Sequence, residues 1–124
     1  MKTFILKEET YQIIGLCMDV HSELGRGFTE IVYKDALEYE FKTRNIPFER
    51  EKEFVVRYRD IILPHKYHAD FLVMNNIILE VKTVNLLAKE HMEQTINYLC
   101  ASGLNVGLLV NFRNSKLEYK RLVY

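Results

Sequence analysis

The run Tyr67-His68-Ala69-Asp70-Phe71-Leu72-Val73-Met74-Asn75-Asn76-Ile77-Ile78-Leu79-Glu80-Val81-Lys82 decides the fold. It reads as two strands, Tyr67 to Val73 and Ile77 to Val84. The link between them is Asn75-Asn76, because Asn tolerates the positive φ of a hairpin turn. Asp70 interrupts the first strand, and Glu80 and Lys82 interrupt the second. Glu80 and Lys82 share parity, so both point to one face while Leu79 and Val81 point to the other.

Register decides whether Asp70 joins them. A two-residue loop would pair Met74 with Ile77 and turn Asp70 away from Glu80, since a one-residue slip reverses every side chain. A three-residue loop of Met74, Asn75 and Asn76, or a bulge, would place Val73 opposite Ile77 and Asp70 opposite Glu80. One of these is expected. Two carboxylates on adjacent strands repel unless a cation sits between them. Hard oxygen ligands with open positions suit Mg²⁺ or Mn²⁺, and an adjacent lysine steadies developing negative charge.

Upstream, Ile13, Ile14, Cys17, Met18, Val20 and Leu24 follow helical spacing from about Glu8 to Leu24. Gly25-Arg26-Gly27 ends that helix. Thr29 can cap a second one, running through Val32, Tyr33, Ala36, Leu37 and Phe41 to about Arg44, where Asn45-Ile46-Pro47 breaks it. Phe48 to Arg59 reads as a strand with Phe54, Val56 and Tyr58 on one face, and a turn is expected over Asp60 to Pro64. Downstream, Leu86 to Ser102 is helical. Its apolar stripe is Ala88, Met92, Ile96 and Leu99, with His91, Gln94 and Tyr98 roughly 120° away. Val106 to Asn111 is a strand apolar enough to be buried on both faces, and Lys116 to Val123 is an edge strand. The order α-α-β-β-β-α-β-β gives an α/β fold, a mixed β-sheet flanked by helices.

The chain has 124 residues, room for one domain over 1–124. Hydrophobic residues are 48% and charged residues 27%, which argues against disorder. Seventeen basic residues balance seventeen acidic ones, so no global positive field recruits phosphate. Cys17 and Cys100 lie inside apolar helical patterns and read as buried, reduced thiols. Met1 to Thr10 is interrupted by Lys7, Glu8 and Glu9, unlike a signal peptide. With no long apolar run, no membrane span is expected, and a cytoplasmic location is.

Asp70 followed by Glu80-Val81-Lys82 resembles the PD-(D/E)XK nuclease motif, with Ala69 standing where the superfamily name has Pro. Gly27-Phe28-Thr29-Glu30-Ile31-Val32-Tyr33 is similar to the GxxExxY motif of a small prokaryotic family in that superfamily. The likeness extends to His91-Met92-Glu93-Gln94 with Tyr98 and to Gly107-Leu108-Leu109-Val110-Asn111-Phe112. It implies a restriction-endonuclease-like core and metal-dependent hydrolysis of nucleic acid, DNA in the first place. Asp70 and Glu80 would hold Mg²⁺ or Mn²⁺ with the Val81 carbonyl. Lys82 would serve the attacking water, Glu30 would approach the metal shell from the second helix, and Gln94 would position Lys82 or a substrate phosphate. His68, His91 and Tyr98 would line the substrate side. The carboxyl groups of Glu30, Asp70 and Glu80 should then converge within roughly 5 Å of one another.

Plainer readings compete. Glu30 would pair with Lys34 at i,i+4, Glu80 and Lys82 would sit on an exposed strand face, Asp70 would lie on an edge, and Tyr33 and Tyr98 would be packing residues. Arg113, Lys116, Lys120 and Arg121, against Glu118 alone, read as a solvated edge that discourages sheet pairing. The competing function is a non-catalytic nucleic-acid-binding or protein-interaction module that keeps the fold. A homodimer would double the surface available for contact.

Overall fold

The computed structural model describes residues 6–124, so the reading of Met1 to Thr10 lies partly outside the described residues. The element order is α1 (Lys7–Leu24), α2 (Glu30–Thr43), β1 (Phe48–Tyr58), β2 (Ile61–Val73), β3 (Ile77–Lys82), α3 (Lys89–Ser102), β4 (Val106–Asn111) and β5 (Glu118–Val123). The strands form one mixed sheet in the order β1-β2-β3-β4-β5. Among the described strands only β3 and β4 run parallel, joined by α3 as the crossover that parallel strands require. β5 is an edge, as expected, and β4 is buried along its whole length.

Two layers cover the sheet. Ile13, Leu16, Cys17 and Val20 of α1 and Tyr33, Leu37 and Phe41 of α2 pack with Phe71, Val73, Leu79, Val81, Leu108 and Val110. A smaller cluster sets Tyr98 and Leu99 of α3 against Ala69, Leu72 and Ile78. Met18 falls outside the α1 stripe and is exposed, its place taken by Leu16. No helix among the described residues is long and apolar enough to cross a membrane.

Several boundaries differ from the sequence reading. The β1–β2 turn is confined to Arg59-Asp60, and β2 starts at Ile61 rather than Tyr67. The strand tolerates Pro64 because the pairing slips between Val55 and Arg57, leaving that proline outside the ladder where its missing N–H costs nothing. Beyond the slip the hairpin leaves the core, so Tyr58 is exposed rather than aligned with Phe54. The α3 helix begins at Lys89, and its buried residues are Thr95, Tyr98 and Leu99. Gly107 of β4 explains this shift of face. A Cβ there would lie 2.8 Å from Thr95 Cγ2, so the bare backbone lets Thr95 press against the sheet. Met92 and Ile96 are only half-buried, and Cys100, beyond the seated face, is exposed. Cys17 is buried, and burial pushes its thiol up to about 12.

Candidate active site

Backbone geometry builds the site first. Val73 pairs with Ile77, Leu72 with Ile78 and Phe71 with Leu79, so the loop is Met74, Asn75 and Asn76. Met74 and Asn75 both take positive φ, 55° and 63°. This is the three-residue loop that the register argument requires, and the next pair in sequence is Asp70 with Glu80. There the ladder stops and side chains replace it. The Asp70 N–H donates to Glu80 Oε2 at 2.7 Å, and the Val81 N–H donates to Asp70 Oδ2 at 2.7 Å.

β2 also changes sides here. Phe71 and Val73 pack in the larger cluster, whereas Ala69 packs in the smaller one against α3. The partner strand is irregular at the same level: Arg50 pairs with Phe71 and Lys52 with Ala69, while Glu51 between them has φ 53°. A left-handed residue in a strand turns the chain locally. Asp70 is thus interior to the sheet rather than on an edge.

Both carboxylates are buried, Asp70 to 8% exposure and Glu80 to 2%. Lys34 of α2 reaches them. Its Nζ donates to Asp70 Oδ1 at 2.9 Å and to Glu51 Oε1 at 2.6 Å. Burial opposes the Lys34 charge, but the hydrogen bonds to Glu51 and Asp70 prevail and hold its pKa above the ordinary lysine value. The plainer alternative, Lys34 paired with Glu30, gives way to Lys34 paired with Asp70 and Glu51. Burial, and then the Asp70 carboxylate, push Glu80 up to about 8. Glu30, half-buried at the start of α2, is raised by burial and by Asp70, while Lys82 and Lys34 pull it back. It shares the electrostatic field of the site without joining its hydrogen bonds.

Convergence of three acidic groups is not met. Among the described residues no group of three His, Cys, Asp or Glu side chains has metal-holding geometry. Lys34, one turn beyond Glu30, occupies Asp70 Oδ1 and leaves two central carboxylates. That pair still fits a hard cation. The two are buried together, the field of Asp70 raises Glu80, and Glu80 Oε1 accepts no hydrogen bond among the described residues. Such a pair is short of positive charge.

Lys82, half-buried at the end of β3, donates from Nζ to Gln94 Oε1 of α3 at 3.3 Å. Tyr98 is buried on the same helix, edge-on to Tyr67 at 5.7 Å. Burial, then Glu80 and Asp70, raise its pKa. The two histidines lie elsewhere. His91 Nδ1 accepts from the Ala88 N–H at 2.8 Å, closing the start of α3, and His68 Nε2 lies 3.4 Å from Glu53 Oε1 on an exposed part of β2. Neither imidazole forms a hydrogen bond or ion pair with Asp70, Glu80 or Lys82 among the described residues.

Three residues of the site escape the sequence reading. Lys34 carries a signal: it falls on the stripe of Leu37 and Phe41 at i, i+3 and i+7, where a bare lysine is out of place. Glu51 carries none. Asn111, fully buried, faces Lys82 across the β3–β4 pair. Its Oδ1 accepts from the Val84 N–H at 3.0 Å, and its Nδ2 donates to the Val84 carbonyl at 2.8 Å and to Glu118 at 2.9 Å. This fixes the segment leaving Lys82.

Residues 7–122 match the family described as the PD-(D/E)XK nuclease superfamily. Among solved structures, the crystal structure of SSO0001 superposes with a TM-score of 0.61 at 22% identity, covering 74% of this chain and 49% of that one. An alkaline exonuclease from Laribacter hongkongensis superposes with a TM-score of 0.51 at 12% identity, covering 69% of this chain and 51% of that one. At these identities the likeness is one of fold. The chain matches about half the length of each. No curated protein shows significant similarity to it.

Proposed function

We propose that this chain, which belongs to the PD-(D/E)XK nuclease superfamily, is a single nuclease-like domain that hydrolyses phosphodiester bonds of nucleic acid, DNA in the first place. The heptad Gly27–Tyr33 supports a narrower place in the GxxExxY family. Gly27 adopts φ 112°, a conformation side chains resist, and the Tyr33 hydroxyl donates to the Gly25 carbonyl at 2.7 Å.

The observation that carries the reading is the buried Asp70–Glu80 pair with Lys82 on the face of Glu80. Asp70 and Glu80 are the residues that would hold a divalent cation, Mg²⁺ or Mn²⁺, with the Val81 carbonyl as a further donor. Such a cation supplies Lewis acidity toward the scissile phosphate. Lys82 holds an ammonium where negative charge develops on the phosphate, and Gln94 restrains it through the bond to Nζ. Glu30 adds negative field at the rim. The water oxygen forms a bond to phosphorus and releases a proton to solvent, the bond to the leaving oxygen breaks, and that oxygen takes a proton from solvent.

A second reading, a non-catalytic module with the same fold, draws on Lys34, whose ammonium already supplies a cation to Asp70. Purified protein with Mg²⁺ or Mn²⁺ on single- and double-stranded DNA and RNA separates the two. Cleavage that disappears in Glu80→Gln and Lys82→Ala supports hydrolysis. Cation binding without cleavage of any substrate supports the module, and cleavage surviving both substitutions removes the proposed site.

A further inference from the structure

The chain as a whole is neutral, yet one cleft is not. A cavity of about 530 Å³ is lined by Arg26, Gly27, Phe28, Thr29, Thr83 and Arg113. Among the described residues its lining has two arginines and no acidic residue. Lysines and arginines elsewhere are repeatedly matched to acids, as in Lys34, Lys42, Arg44, Arg50 and Lys52. Arg26 and Arg113 form no ion pair among the described residues. Two charged donors left open on one concave surface suit an anion, and the fork geometry of guanidinium suits a phosphodiester.

Position and rigidity add to this. Thr29 immediately precedes Glu30, and Thr83 immediately follows Lys82, so the cleft continues the site along both α2 and β3. Each wall is fixed from inside the protein. Tyr33, fully buried, accepts from the Phe28 N–H at 3.4 Å and donates to the Gly25 carbonyl. Asn111 grips Val84 and accepts from the Arg113 N–H at 3.3 Å. Fixed walls lower the ordering cost of binding. Phe28 itself is 49% exposed, a flat apolar ring lining the same cavity as the two arginines. Aromatic rings in basic grooves stack unpaired bases.

We infer that this cleft seats a single nucleic-acid strand next to the cleavage site, with phosphates on Arg26 and Arg113 and one unpaired base stacked on Phe28. The inference rests on the nucleic-acid reading above and specifies the form of the strand and the groups that hold it.

The test is fluorescence anisotropy with labelled single-stranded DNA, single-stranded RNA and duplex DNA, in a Glu80→Gln background so that no strand is cut. Arg26→Ala with Arg113→Ala is expected to weaken single-strand binding at least tenfold. It is also expected to flatten the dependence of log affinity on log salt by roughly 0.7 for each phosphate that no longer meets a guanidinium. Phe28→Ala should cost about tenfold, and Phe28→Tyr should retain binding, since either ring stacks. Removing the same number of charges outside the cleft, with Lys116→Ala and Lys120→Ala, should leave the salt slope in place. An unchanged slope in the arginine variant, an equal loss in the lysine control, or binding confined to duplex overturns the inference while leaving the nuclease reading standing. Failure of the parent to bind any of the three overturns both.

Discussion

Asp70 and Glu80 each accept a hydrogen bond from the other's strand: Glu80 Oε2 from the Asp70 N–H and Asp70 Oδ2 from the Val81 N–H, both at 2.7 Å. Two strands that pair normally from Val73↔Ile77 to Phe71↔Leu79 thus exchange backbone ladder for side-chain carboxylates at the next step. The exchange buries two acids in a sheet interior and satisfies the local amides at the same time. It also leaves negative charge concentrated where, among the described residues, Lys34 alone forms an ion pair with either acid.

That concentration has a pH consequence. Burial and the Asp70 field raise Glu80 from an ordinary 4.5 to about 8, so the folded chain keeps a proton that the unfolded chain releases. The stability of the cation-free protein is expected to fall as pH rises through that window and to level off above it. Glu80→Gln should flatten the slope. Urea midpoints in the presence of chelator, at about pH 5 and about pH 8, check the sign.

A divalent cation held as proposed would compete with Lys34 for Asp70 Oδ1. Lys34→Met leaves a buried carboxylate unpaired and should destabilise the cation-free protein by roughly 3–5 kcal/mol. Added Mn²⁺ should then raise the melting temperature of the variant more than that of the parent, because no ammonium has to move aside. Equal shifts in both proteins would mean that Lys34 and the cation do not share the oxygen.

Gly107 seats α3. In Gly107→Ala the new methyl would meet Thr95 Cγ2 at 2.8 Å, and overpacking of this kind costs about 1–3 kcal/mol. The helix carrying Gln94 would shift away from Lys82. Thr95→Ser removes the offending methyl, so the double variant should recover most of the loss. Denaturant unfolding of the two singles and the double measures the coupling.

Asn111→Leu removes the side chain that holds both backbone groups of Val84. A loss of about 2 kcal/mol is expected from the polar groups left unpaired. Amide hydrogen exchange should show the segment after Lys82 opening more readily than the rest of β3.

Much of this arrangement is legible in the sequence, because strand alternation and loop length together restrict where Asp70 can lie relative to Glu80. Parity alone puts Lys82 on the side of Glu80, and helical spacing brings Gln94 within reach. What stays hidden depends on contacts between elements distant in the chain. Glu51 reads as one more exposed acid in an alternating strand, and only its left-handed backbone opposite Asp70 gives it a role. Lys34 is visible as a polar residue on an apolar stripe, but its partner lies 36 residues away. Periodicity misplaces the buried face of α3 because it ranks Met92 above Thr95, whereas the missing side chain at Gly107 favours Thr95. For the same reason the spacing puts Cys100 inside, and it lies outside.

The proposed hydrolysis depends on Asp70 and Glu80 forming one divalent-cation site beside Lys82. Anomalous diffraction from crystals of the protein soaked in Mn²⁺ tests it most directly. One strong peak is expected within coordination distance of an oxygen of each carboxylate, with the Lys34 ammonium withdrawn from Asp70 Oδ1. A map with no peak between the two acids, and Lys34 still bonded to Asp70 at saturating Mn²⁺, would contradict it.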